Sequence, residues 1–262
     1  MSLKRVIKTE IYKNTHRKSS VILFIPTILA MLVSFGYAKG FVHLNLTVGE
    51  NNIYSCMDFV FIIWNVLSGL GIMGILLILF SSFQFSGEIE RGQIKMELLR
   101  IRKRGTVVIG KYIAVMFVTV TTIAGTILSC MLSYYLFVAH SSLGTGTFLS
   151  TIEGLSTSDI VLTIVLSAVM YLILAAVCFL VGLKAGPFVT FILTMLIMYA
   201  GNYAAGSDNG LSKLIPLYWS SKLMMSGKVS VIPTIISVVL LLAFTIIILL
   251  LTIFIFLKQD IK

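Results

Sequence analysis

The sequence predicts an all-α, polytopic membrane protein with six transmembrane helices, and three observations carry that prediction. Of 262 residues, 58% are hydrophobic and 11% charged, and the mean hydropathy is +1.04. That is far from a soluble-domain composition. Charge-free windows run over 19–38, 59–87, 112–152, 160–183, 185–207 and 229–257. Each reaches the ~20 residues a helix needs to cross ~30 Å of hydrocarbon, and the alternation of a closed barrel is absent. Finally, the 20 Lys and Arg sort by loop. Six lie in 1–18, seven in 83–111, one at Lys184 and two after Leu257, against only Lys39, Lys213, Lys222 and Lys228 in the alternate loops. Sixteen against four follows the positive-inside rule and puts both termini in the cytoplasm.

The chain reads as a single transmembrane domain over 1–262. Residues 2–18, "SLKRVIKTEIYKNTHRK", space Leu3, Val6, Ile7 and Ile11 at roughly helical intervals among Lys4, Arg5, Lys8 and Lys13. This pattern suits an N-terminal amphipathic helix over 1–18 in the cytoplasmic interface. The first span covers Ser19 to Ala38 with Pro26 in its early turns, and an outside loop follows to about Cys56. The second covers Asp58 to Ser82 and holds Gly69, Gly71 and Gly74; the third covers Thr106 to Ala139. In the third, Thr121, Gly125, Ser129 and Ser133 recur every fourth residue, a ladder of small side chains that admits a neighbouring helix. The polar stretch "AHSSLGTGTFLSTIEGLSTSD" ends that span in a loop.

Spans four and five, Ile160–Leu183 and Phe188–Ala205, are separated by "KAGP", where Gly186-Pro187 stops one helix and starts the next. The outside segment 206–230 mixes apolar clusters with Pro216 and the pair Tyr218-Trp219, which predicts short re-entrant helices rather than a polar loop. The sixth span, Val231–Leu257, is long enough to tilt.

Several functions are disfavoured. The net charge of +10 orients the chain and attracts anionic lipid; no basic domain stands outside the bilayer for nucleic acid. Cys56, Cys130 and Cys178 are isolated, and the three histidines are scattered, so neither metal site nor catalytic constellation is expected. Asp58 and Asp159 fall at outer span ends, and no acidic residue sits mid-membrane for a proton relay. Asn65 and Asn202 are the polar side chains within spans, candidates for interhelical hydrogen bonds or a substrate path. "RKRGTVVIGKYIAV" contains Gly-x-x-x-x-Gly-Lys at Gly105, Gly110 and Lys111, yet a phosphate loop needs a preceding strand and a following Ser or Thr. A basic stretch and Tyr112 stand there instead, so the chain itself should bind no nucleotide.

Taken from Phe85 to Val115, the same region reads "FSGEIERGQIKMELLRIRKRGTVVIGKYIAV". It resembles the cytoplasmic segment between helices 2 and 3 of ABC-2-type permeases, the transmembrane subunits of type 2 ABC exporters. Their pattern is an acidic residue, Glu-x-Gly, a Leu pair, Pro-x-Ser-Arg, then Gly-Lys entering helix 3. Glu88, Glu90, Arg91, Gly92, Leu98, Leu99, Arg104, Gly110 and Lys111 fit it, with Ile101 and Lys103 in place of the proline and serine. The opening "LKRVIKTEIYKNTHRKS" and "LIPLYW" at 214–219 also look like the family, and the size resembles lantibiotic and bacteriocin immunity permeases.

The resemblance implies that 83–111 is a coupling segment whose Glu88, Glu90, Arg91, Gly92, Leu98, Leu99 and Arg104 meet a separate cytoplasmic ATPase. It further implies two such ATPases per complex, ATP and Mg on them and not on this chain, and a second permease copy or a paralogous permease. The expected setting is the bacterial plasma membrane. The expected cargo is a hydrophobic or amphipathic molecule, such as an antimicrobial peptide, moved outward. A non-transporting scaffold or sensor and an intramembrane enzyme are the alternatives. Within the segment, Ile94, Leu98 and Ile101 share one helical sector while Met96 and Leu99 lie elsewhere around the axis.

Overall fold

The computed structural model describes residues 3–42, 54–69, 71–101, 104–151, 156–206 and 231–258. Among them the chain is all-helical. Helix α1 spans Leu3–His16 and leads through a 3-10 helix, Lys18–Phe24, into α2, Ile25–Ala38. Then follow α3 (Cys56–Gly69), α4 (Ile72–Glu90), α5 (Gln93–Arg100), α6 (Arg104–Ser133), α7 (Thr157–Val181), α8 (Pro187–Gly206) and α9 (Val231–Lys258). Six helices are long and apolar enough to cross a membrane: 18–38, 72–90, 104–138, 157–181, 187–204 and 234–258. The protein is a multi-pass membrane protein.

The predicted second span departs from one continuous helix. It divides into α3 and α4 at the Gly69–Gly71 step, where Gly71 adopts φ 71°, a left-handed conformation open to glycine. A side chain there would also press on the Tyr199 hydroxyl, and one at Gly74 would meet the Met198 sulfur at 2.8 Å, so these glycines seat α8 against α4. Beyond the break α4 continues to Glu90, past the expected end at Ser82. The first span likewise begins as a 3-10 turn, with Pro26 in the first turn of α2, where its missing N–H costs nothing. The third span runs through a π turn, Tyr134–Val138, before the loop. Of the segment expected to be re-entrant, 206–230, Gly206 ends α8 and the rest lies outside the described residues.

Burial grades the spans. Within the bundle α4 and α7 are mostly covered, α6 is intermediate, and the first span, α8 and α9 are mostly bare. Thus α4 and α7 form the centre and α2, α8 and α9 present apolar faces outward, as lipid-exposed helices do. The centre is held by Phe85 stacked on Phe179, their ring centroids 4.2 Å apart, and by Tyr112 donating to the Leu172 carbonyl at 3.0 Å. Trp64 donates its indole N–H to Ser167. These satisfied polar tips let large aromatics be buried without an orphaned donor.

The N-terminal helix packs along the bundle. Contacts climb together along α1–α2 and α6: Val6 against Gly110, Glu10 on Lys111, Thr27 accepting from Ser129, Ser34 bonded to Ser133. The first thirty-odd residues therefore run alongside α6. Its 35 residues with the π turn span about 50 Å at ~1.5 Å each, well beyond the hydrocarbon thickness. Helix α1 packs on the part of α6 nearest the basic end.

Candidate functional site: a buried charge cluster behind the α5 helix

The inward face of α1 is Val6, Glu10 and Asn14, all buried, rather than the apolar stripe Leu3, Val6, Ile7 and Ile11; Leu3 is exposed. Glu10, Lys13 and Arg17 follow the spacing of one helical face, and they meet Glu88 at the end of α4, Glu97 on α5 and Lys111 on α6. Lys111 Nζ lies 3.0 Å from Glu10 and 2.8 Å from Glu97, and it also donates to Glu88. Lys13 Nζ lies 2.7 Å from Glu88, 2.9 Å from Glu97 and 3.4 Å from Glu10. Arg17 reaches Glu88 at 2.5 Å and donates to Gln84 and Gln93. The Lys13 and Arg17 approaches to Glu88 Oε1 are close ionic contacts without hydrogen-bond alignment.

Three carboxylates and three cations thus neutralise one another. One oxygen each of Glu10, Glu88 and Glu97 lies within 4.8 Å of the other two, a spacing that suits a cation. Two lysine ammoniums fill that role here. Burial pushes the Glu10 carboxyl above its ordinary value, with Glu88 and Glu97 adding to the rise against the pull of Lys111 and Lys13. For Glu97 burial acts the same way, but the charges and hydrogen bonds of Lys111 and Lys13 outweigh it and hold the carboxyl below its ordinary value.

Around this cluster α5 is a short lever. Gly92, with φ 69°, turns the chain sharply between α4 and α5, and Ile101 leaves α5 in an extended conformation. Ile94 and Ile101 are buried and Leu98 is half-buried beside Val6 and Val107, so the predicted sector is the inner face. Met96 and Leu99 stand 67% and 89% exposed, with Glu90, Arg91, Arg100 and Arg104 exposed around them.

The predicted coupling residues consequently fall into two groups. Glu90, Arg91, Leu99 and Arg104 face outward, with Gly92 at the turn and Leu98 half-buried, while Glu88 is 1% exposed and spent on the ion cluster. Glu88 is a tie inside the bundle, unlike the surface residue the resemblance implies. Asn65 is half-buried on α3 and Asn202 is exposed on α8. Gly105, Gly110 and Lys111 lie in continuous helix; Gly110 gives way to Val6, which a β-carbon would meet at 2.6 Å. That stretch has helix where a phosphate loop has free N–H groups.

At the opposite end Asp58, expected only as a boundary marker, is fully buried. It accepts from Ser55 Oγ at 2.6 Å, Ser55 N at 3.3 Å, Thr151 N at 3.0 Å, Thr151 Oγ1 at 3.1 Å and from Ser150 Oγ. Together with the Tyr54 and Gly144 backbone pairing, this pins the stretch 144–151 over the start of α3.

Compared with known proteins, the chain matches no family model, and no curated protein matches it.

Proposed function

We propose that the chain is the permease subunit of an ATP-driven ABC-2-type exporter, taking its energy from a separate ATPase that docks on α5. One observation carries the reading: α5 is tied to the bundle on its inner face and bare on its outer face. Leu99, a large apolar side chain 89% exposed next to Arg100, is poorly served by water and well suited to a partner's groove. Force applied there reaches α1, α4 and α6 at once through Glu97, Lys13 and Lys111. The resemblance of 85–115 to the family's coupling segment points the same way. The exposed apolar faces of α2, α8 and α9 suit both lipid and a second permease. The cargo class is a hydrophobic or amphipathic molecule such as an antimicrobial peptide, exported across the plasma membrane.

The test reverses exposed charges that the bundle does not need. Glu90→Arg and Arg91→Glu should leave membrane abundance normal while the ATPase fails to co-purify and transport, or resistance to the cargo, is lost. Normal pull-down and normal transport in both variants overturn the coupling role and favour a scaffold or sensor.

A further inference from the structure

The ladder Thr121, Gly125, Ser129, Ser133 is used unevenly. Ser129 and Ser133 bond to α2, but Thr121 and Gly125 face the 3-10 helix Lys18–Phe24, and the space between stays open. The resulting crevice has a volume of about 280 Å³ and runs between Asn14, Ser20, Leu23 and Phe24 on one wall and Phe117 and Gly125 on the other. Phe24 and Phe117 are exposed at its lip, so it opens on the outer surface of the spans.

Its walls are chemically lopsided. The hydroxyls of Thr15, Thr121 and Thr122 are turned back to carbonyls of their own helices, and Ser20 Oγ donates to the Asn14 carbonyl. What faces the space is therefore largely apolar, with Thr27 and Asn14 as the exceptions. Asn14 is 1% exposed, lines the crevice, and its Oδ1 has no hydrogen-bond partner. A buried acceptor without a donor is costly and calls for an occupant. Asn14 is also the next inward residue of α1 after Glu10, so the polar end of the crevice adjoins the charged end of the molecule. Leu23, Phe24 and Gly125 carry the other end into the apolar spans.

We propose that this crevice binds one bilayer phospholipid whose headgroup donates a hydrogen bond to Asn14 Oδ1 and whose acyl chain lies along Leu23, Phe24 and Gly125. The polar-to-apolar order of the walls matches the order of a lipid from headgroup to chain. The volume, just under the ~300 Å³ floor of drug-sized pockets, suits part of a single lipid.

Phosphatidylethanolamine and phosphatidylcholine with identical chains separate the donor from everything else: both are zwitterionic, and only the first has N–H groups. The full chain, purified without any ATPase, is reconstituted in an equimolar mixture, re-extracted, and its retained lipid counted by native mass spectrometry. The wild type should keep phosphatidylethanolamine over phosphatidylcholine by about two- to tenfold, the ratio one net hydrogen bond gives. Asn14→Leu should bring the ratio to about one while still holding lipid. Gly125→Phe, at a position where an added β-carbon meets nothing within 4 Å, should lower retention of both lipids, as should Thr121→Phe. Equal retention of the two lipids by wild type, an unchanged ratio in Asn14→Leu, or undiminished retention in both filling variants overturns the proposal. The measurement involves neither transport nor a partner, so it stands or falls apart from the exporter reading.

Discussion

The two ends of the bundle bury carboxylates by opposite means. Glu88, at 1% exposure, is met by the full charges of Lys111, Lys13 and Arg17, whereas among the described residues Asp58 is met by hydroxyl and backbone N–H donors from Ser55, Ser150 and Thr151. A neutral-donor site is directional: each bond has one geometry, and it fixes a loop to a helix start. An ionic cluster is more permissive, because Lys13 and Lys111 each have Glu10, Glu88 and Glu97 within reach. Such a cluster can exchange partners while α5 moves and remain neutral throughout. The difference is between a directional tie at the Asp58 end and, behind α5, a set of contacts whose ions can re-pair.

Removing the shared cation should have the largest effect. Lys111→Met leaves three carboxylates, Glu10 and Glu88 buried and Glu97 half-buried, facing two cations, and breaking a buried charge set this way typically costs about 3–5 kcal/mol. Membrane abundance and the thermal midpoint of purified protein should both fall sharply. An unchanged midpoint would show that Lys13 and Arg17 suffice. Asp58→Ala comes next, at about 2–3 kcal/mol, since hydrogen bonds to a charged group contribute roughly 1.5–3 kcal/mol each but the freed donors near 150 can reach water. Its signature is local: residues 144–151 should gain protease sensitivity while α1 stays protected. If both ends loosen together, the contrast between them fails.

Acid sharpens the comparison further. The Glu97 carboxyl is held below its ordinary 4.5, so its stabilising effect is present above that pH and is lost as pH falls through the folded value. Glu10 is raised above 4.5, so its ionised form opposes folding at neutral pH and that opposition is relieved as pH falls toward 4.5. At pH 7, Glu97→Gln should therefore lower the midpoint, by about 1–3 kcal/mol of stability, while Glu10→Gln should be neutral or slightly stabilising. Protection of the α1 amides, taken relative to intrinsic exchange at each pH, should hold from neutrality to near pH 5 in the wild type and fall only below 4.5. Equal losses from both variants would contradict the opposite directions. The smallest stability effect belongs to Leu99→Ala, whose side chain is exposed and should leave the midpoint within about 0.5 kcal/mol.

Legibility in the sequence followed the range of the interaction. Six charge-free windows sufficed for six membrane-crossing helices because lipid imposes the same local demand on each. The inner sector of α5, Ile94 with Leu98 and Ile101, was legible for the same local reason. The α3–α4 break was not, since three glycines in a span serve close packing as readily as a turn, and only the seating of α8 decides. The orientation of α1 was hidden as well. Hydrophobic spacing favours Leu3 and Ile11, but the ion partner that meets Glu10 on the inward face, Lys111, lies 101 residues away. Even so, Glu10, Lys13 and Arg17 on one face, matched in number by cations and carboxylates further along, was a signal available before any coordinates.

That 101-residue separation sets a schedule for biogenesis. During synthesis α1 emerges early, yet the lysine that completes its inward face follows roughly 5–20 s later at translation rates of ~5–20 residues per second. In the interval Glu10, Lys13 and Arg17 must be satisfied by water, lipid headgroups or the insertion machinery, and α2 enters the bilayer without its N-terminal neighbour in place. The ion cluster therefore closes only once the chain has delivered the start of α6, so its closure separates chains that have reached the third span from shorter ones. Chains stalled or truncated before residue 111 should present α1 unlatched, open to quality-control proteases.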